Sequence, residues 1–193
     1  MLRQALVLML VVLPVSNLLA GGVDLRLGRK TAEFTFLSES ATFGYGGADM
    51  GFGMFLNEND DFIAHGSILV SGSGDGDVRG LHFGVGGKIY GGVLEFPSPV
   101  ENQNGGAIAI GGQIRYVSPG RTPIAFVVEV FGAPAVTSIS DFEGLVEIRA
   151  ALELEVTPSA RAYIGWRSLE VELNNTAEIE VDEEGHVGVR FSF

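Results

Sequence analysis

Apolar residues alternate with small or polar ones along most of this chain, in stretches separated by turn-forming clusters. A β-strand points successive side chains to opposite faces, so a period of two predicts a series of strands, each with one apolar face. Val23, Leu25 and Leu27 form the first face, and Phe34 and Phe36 the second, after the break at Gly28-Arg29-Lys30. Met50, Phe52, Met54 and Leu56 lead into the turn cluster Asn57-Glu58-Asn59-Asp60. Phe62, Ala64, Gly66, Ile68 and Val70 follow, ended by the run from Ser71 to Asp77, and Leu81, Phe83, Val85 and Ile89 make the next face. Beyond a Pro-containing loop at 93–104, Ile108, Ile110, Ile114 and Tyr116 alternate up to Ser118-Pro119-Gly120. Ile124, Phe126, Val128 and Val130 then run to Gly132, before a loop rich in Pro, Ser and Thr. Val146, Ile148, Ala150, Leu152, Leu154 and Val156 share a face, and Ala162, Ile164 and Trp166 continue it past the short turn Thr157-Pro158-Ser159. Parity then slips, because Leu169, Val171 and Leu173 are apolar at odd positions, and the slip predicts a β-bulge near Arg167 or Ser168. The chain ends with Val187, Val189, Phe191 and Phe193.

These are ten segments if the first hairpin is counted, with eight as the alternative; single-chain bacterial barrels have an even number. The fold class is all-β, a small antiparallel transmembrane β-barrel. With a periplasmic C-terminus, Thr157-Pro158-Ser159 and Ser118-Pro119-Gly120 become short periplasmic turns, and the longer connections 92–104, 132–143 and 174–185 fall outside.

A soluble sandwich or lipocalin-like barrel alternates in the same way with its apolar face inward, so the polar face decides between them. Opposite the apolar stripes lie Asp24, Arg26, His82, Lys88, Gln113, Arg115, Glu129, Glu147, Arg149, Glu153, Glu155, Arg161, Arg167 and Arg190. Gly51, Gly53, Gly84, Gly86, Gly111 and Gly188 interleave with them. A solvated outer face has no steric need for so many glycines. A crowded lumen has, and in a barrel of eight to ten strands its acids and bases pair and fill it.

Residues 1–22 read as a cleaved Sec-type signal peptide, with Arg3 as its basic start, an apolar run from Ala5 to Val15, and cleavage after Ala20 or, alternatively, after Gly22. The barrel then occupies 23–193, and the expected location is the outer membrane of a Gram-negative bacterium. The formal charge of −12 argues against nucleic acid as a partner. The absence of cysteine excludes disulfides, thiolate zinc sites and a lipidated N-terminal cysteine. The expected partners are outer-membrane lipid and lipopolysaccharide, together with the barrel assembly machinery, which the aromatic end Phe193, preceded in steps of two by Phe191, Val189 and Val187, would engage.

Several stretches resemble one family: Gly47-Ala48-Asp49-Met50-Gly51-Phe52-Gly53, Asn59-Asp60-Asp61, Val85-Gly86-Gly87-Lys88-Ile89-Tyr90, Ala107-Ile108-Ala109-Ile110-Gly111-Gly112 and Gly185-His186-Val187-Gly188-Val189-Arg190-Phe191. Together they are similar to the YfaZ family of outer-membrane proteins. The resemblance implies fold and location; it brings no catalytic residues.

Candidate chemistry is sparse. His65 and Ser67, two apart on one strand, face the same side with His82 near, a spacing similar to the His-x-Ser of lipid A deacylases. A lumen histidine hydrogen-bonded to a neighbour is the simpler expectation, with His186 at a loop-strand junction. The acidic turns Asn57–Asp61, Asp182-Glu183-Glu184 and Asp75-Gly76-Asp77 match no calcium loop and read as solvated tips. No catalytic, cofactor-binding or metal-ligating residue and no cofactor is assigned. The expected role is a structural or interaction barrel with a charge-plugged lumen, not an enzyme; a passive pore for solutes is the second reading and a lipid-modifying enzyme the last.

Overall fold

The computed structural model describes residues 21–40, 48–73, 80–96, 101–120, 123–174 and 178–193. Segment 1–20, with most of the expected signal peptide, and the turn Asp75-Gly76-Asp77 lie outside the described residues. The strands are β1 (Gly21–Gly28), β2 (Thr31–Ser40), β3 (Ala48–Asn57), β4 (Phe62–Ser73), β5 (Leu81–Leu94), β6 (Gln103–Ser118), β7 (Ile124–Ala133), β8 (Ser138–Ser140), β9 (Phe142–Thr157), β10 (Ala160–Leu173) and β11 (Ile179–Ser192).

Ten of these strands close into one antiparallel ring, in which β5 pairs with β6 and β11 with β1. The eleventh, β8, pairs only with Gly105–Ala107 of β6. Its place follows from strand lengths: β7 has ten residues between neighbours of sixteen, and β8 covers the flank of β6 beyond the end of β7. Gly21 and Phe193 exchange backbone hydrogen bonds of 2.9 and 2.8 Å across the β1–β11 seam, so both lie at one rim, the terminal rim. The opposite rim is the distal rim.

The apolar stripes read from the sequence face outward, except Leu169, Val171 and Leu173 of β10. Phe52, Ile68, Val85, Ile89, Ile110, Phe126, Leu152, Ile164 and Val187 are all exposed on the outer wall, among many others. Such a belt far exceeds the apolar patches of soluble monomers and is the wall of a transmembrane barrel.

The connections only partly follow the expected division into short turns and long loops. The turns after Ser118 and Thr157 do lie at the terminal rim, and the connections after Leu94 and Ala133 at the distal rim. The distal rim also carries the tight turns at 29–30 and 58–61, and 174–185 is not one long loop, because β11 begins at Ile179. Its acids have partners that hold them in a strand: Asp182 contacts Arg167 at 3.4 Å. Glu184 accepts the Thr31 hydroxyl at 2.6 Å and the backbone N–H groups of Arg29 and Lys30 at 3.1 Å each, thereby fastening the β1–β2 turn.

The predicted bulge near Arg167 or Ser168 is corrected. Tyr163, Arg167, Leu169, Val171 and Leu173 are all buried and share one parity along β10, so this strand never changes face. Chemistry changes instead: the inward face turns from charged to apolar. The irregularity lies opposite, where β10 steps from Leu169↔Asp182 to Glu170↔Glu180 and Val181 is the extra residue of β11.

The inward apolar residues of β10 join a core that also contains Phe55, Ile63, Leu94, Phe131, Phe142 and Leu145. All lie toward the distal rim, so this half of the lumen is packed like a protein interior. Leu169→Ala should lower the unfolding free energy of the folded barrel by about 2–5 kcal/mol, measured by urea titration in micelles with Trp166 fluorescence. A midpoint unchanged from that of the natural chain would contradict its inward placement.

Candidate functional site

Next to the apolar half, toward the terminal rim, lies a layer of buried charge. Arg167, only 1% exposed, is at its centre. Its Nε donates to Glu147 at 2.8 Å, and its Nη1 to Glu33 at 2.9 Å and Asp182 at 3.4 Å. Glu147 also accepts from Lys88 Nζ at 2.8 Å and the Tyr90 hydroxyl at 2.5 Å. Lys88 reaches Glu129 at 2.5 Å, and Glu129 accepts from Arg149 Nη1 at 3.2 Å. Glu33 closes the other side, accepting from Arg26 Nη1 at 3.0 Å and the Thr35 hydroxyl at 3.2 Å, with His65 Nε2 at 3.3 Å.

Four bases, Arg26, Lys88, Arg149 and Arg167, thus meet four carboxylates, Glu33, Glu129, Glu147 and Asp182. A charge removed from water costs several kcal/mol unless a partner compensates it, so the network holds only as a set. Aromatic faces carry part of the load: Lys88 Nζ lies 4.3 Å from the Phe131 ring centre and Arg167 Cζ 5.0 Å from that of Phe55. Glycine makes room for the larger side chains, since a Cβ at Gly53 would stand 2.3 Å from His65 Nε2 and one at Gly188 2.1 Å from the Tyr163 ring.

From this layer a cavity of about 470 Å³ opens to the terminal rim. Gly21 and Ser192 line its mouth, and Phe131 and Glu147 its floor; the distal core residues Leu94, Leu145, Leu169 and Val171 do not reach it. A second ion cluster forms one wall. Arg190 binds Asp24 through Nε at 2.8 Å and Nη2 at 2.7 Å, and Asp24 also accepts the Tyr163 hydroxyl. Glu153 links Arg190 at 3.7 Å to Arg115 at 2.7 Å. The β2–β4 side carries the hydroxyls and glycine of Thr35, Ser38, Gly51, Ser67 and Ser71 together with Leu37, Asp49, Met50 and Leu69.

The polar face read from the sequence is therefore the lumen wall, and His65, Ser67 and His82 all line the cavity. His65 is tied to Glu33, and among the described residues no hydrogen bond joins it to Ser67. His186 is not at a loop junction: it is buried within β11, with its ring edge-on to Tyr163 at 5.9 Å and 79°. The Asn57–Asp61 turn is not a set of free carboxylates. Asn57 Oδ1 accepts the N–H groups of Asn59 and Asp61 at 3.0 Å each, Asn57 Nδ2 donates to Asp61 at 2.8 Å, and the other Asp61 oxygen accepts the Glu95 N–H at 2.7 Å. Among the described residues no group of three or more His, Asp or Glu is placed to hold a metal.

Sequence reasoning missed Glu33 and Asp182 as lumen residues. Glu33-Phe34-Thr35-Phe36 carried the clue to the first, since Glu33 and Thr35 have the parity opposite to the phenylalanines. Asp182 shares the even parity of Gly188 and Arg190, unbroken because the Val181 bulge lies on its far side, but reading 174–185 as a loop hid that clue.

A YfaZ precursor family model matches residues 21–193. No curated protein matches the chain. Among solved structures it is similar to a KdgM porin, with a TM-score of 0.43 and 9% identity over 91% of this chain and 99% of the porin. It is also similar to a KdgM porin in complex with disordered oligogalacturonate, with a TM-score of 0.42, 9% identity and the same coverages.

Arg167→Ala would leave Glu33 and Glu147 without their shared base, and should destabilise the barrel by about 3–5 kcal/mol in urea titration. Lys30→Ala, which removes a solvent-exposed pair with Glu58 at the distal rim, should cost no more than about 1 kcal/mol. Equal effects from the two would contradict a buried charge network.

Proposed function

The chain belongs to the YfaZ family, and from that membership we propose that it is an outer-membrane barrel that does not conduct and acts through what its rims and its terminal-side cavity meet. One observation carries this reading. The lumen is crossed by a layer of paired charge backed by an apolar core, and Arg167, where the two meet, is 1% exposed.

In this reading the terminal rim faces the periplasm and the distal rim the exterior. Signal cleavage after Ala20 fits it better than cleavage after Gly22, because Gly21 and Gly22 already belong to β1 and pair across the seam. Lipid and lipopolysaccharide surround the apolar belt, and the strand ending at Phe193 meets the barrel assembly machinery. A lipid-modifying role gains no support from His65, whose Nε2 lies 3.3 Å from Glu33 in the closed layer.

A passive pore is the competing function, and it requires a continuous water path. Planar-bilayer recording of the purified, refolded chain decides between them. The closed reading expects insertion without discrete conductance steps at any voltage the bilayer tolerates. Reproducible steps that scale with salt concentration would overturn it in favour of a pore.

A further inference from the structure

The outward apolar runs differ in height from one side of the ring to the other. A tilted strand of such a barrel rises about 2.5 Å along the membrane normal per residue. On β9 the run from Val146 to Val156 therefore spans about 25 Å, the height of the apolar band of an outer-membrane barrel. On β5 it extends from Leu81 to Val93, about 30 Å. At the seam it is far shorter: Val23 to Leu27 on β1 and Ala32 to Phe36 on β2 each span about 10 Å. Strand length sets the difference, since β1 has 8 residues and β2 has 10, against 14 for β5 and 16 for β9.

The groups beyond the short runs bar a taller belt on this side. Toward the distal rim β1 and β2 meet in the turn of Arg29 and Lys30, and Lys30 pairs with Glu58 in the open. On β11 the outward positions past Val187 are Gly185 and the exposed Glu183. Toward the terminal rim the next pair in register is Gly21 and Ser38, already at the cavity mouth. Charge on the lipid face destabilises such barrels more the deeper it lies, so hydrocarbon of full height here would immerse the distal charges, the terminal mouth or both.

The short runs are also no patch set apart for a second protein. Leu25 pairs with Val189 and Phe34, and Leu27 with Val187 and Ala32, so the seam continues the lipid-facing belt without a break. We propose that lipid covers this face and that the barrel thins the bilayer on the side of β11, β1 and β2, while bilayer of ordinary thickness meets β5 to β9. Local thinning is one way in which a bilayer accommodates an apolar span shorter than its hydrocarbon layer. The inference rests on the outer wall facing lipid, and it holds whether or not the lumen conducts.

The test places one nitroxide at a time on the full barrel, refolded at low density in dioleoylphosphatidylcholine vesicles. Val23→Cys and Leu27→Cys mark the ends of the β1 run, and Val146→Cys and Val156→Cys those of the β9 run. Electron paramagnetic resonance reads the depth of each label from its relative exposure to oxygen and to a water-soluble nickel chelate. A thinned seam predicts that the β1 pair lies as shallow as the β9 pair, to within about 3 Å. A bilayer of uniform thickness centred on the belt would put the β1 pair about 7 Å deeper, and that result overturns the inference. Shielding of the β1 labels from both reagents would mean that a second copy of the chain covers the seam, and overturns it equally. Should the β1 variants fail to fold, Phe191→Cys and Val187→Cys take their places, because these residues pair with Val23 and Leu27.

Discussion

Charge that has been taken out of water must be paired, and the interior of this barrel is organised around that requirement. Its ten strands turn their apolar faces outward, so the acids and bases of the other faces have only the lumen to occupy. Arg167 alone serves Glu33 on β2, Glu147 on β9 and Asp182 on β11, and Lys88 on β5 ties Glu129 on β7 to Glu147. Pairing between strands distant in sequence therefore coincides with closure of the ring. A strand set in the wrong register would move its charges to the lipid face and its apolar residues into the lumen, which makes the network a check on register as well as a filling.

The same requirement accounts for the unequal halves of the lumen. Toward the terminal rim the clusters around Asp24 and Glu153 remain beside an open cavity, where water reaches them. Toward the distal rim Phe55, Ile63, Leu94, Leu145, Leu169 and Val171 leave no such access, and the polar groups there are few and held: Asp182 by Arg167, Asp61 by Asn57 and the Glu95 amide. An apolar distal half raises the local cost of any unpaired charge in the neighbouring layer, and so sharpens the demand for pairing. The result, among the described residues, is a barrel whose polar recess opens at the terminal rim above an apolar distal half.

Much of this was legible in the sequence. Period-two alternation marked the outward face of every long strand, from Val23-Leu25-Leu27 to Val187-Val189-Phe191, and the same parity placed Lys88, Glu129, Glu147, Arg149 and Arg167 inside. The apolar core was hidden because alternation fails where both faces are apolar. Met54-Phe55-Leu56 and Phe62-Ile63-Ala64 flank the 57–61 turn as continuous apolar runs, and Phe55 and Ile63 point inward from them. At Leu169, Val171 and Leu173, which alternate with Ser168, Glu170 and Glu172, the contrast inverts and looked like a change of face, whereas the backbone keeps its parity and the lumen changes its chemistry. The acidic stretch Asp182-Glu183-Glu184 looked like a solvated loop because the partners that hold it in β11, Arg167 and the β1–β2 turn, lie far away in the chain.

A chain without cysteine allows the central claim, a lumen sealed by its own side chains, to be probed one position at a time. Ala109 is wholly enclosed, faces inward and pairs with Lys88 across β5 and β6, at the level of the charge layer. Ala109→Cys, refolded in vesicles and exposed on both sides to a water-soluble maleimide, is the most direct measurement, with Ser71→Cys at the cavity mouth as the reactive reference. A sealed lumen predicts that Ser71→Cys is labelled while Ala109→Cys reacts only after unfolding. Labelling of Ala109→Cys in the folded barrel at a rate comparable to Ser71→Cys would mean that water passes beyond the floor of the cavity into the packed lumen, and would contradict the account.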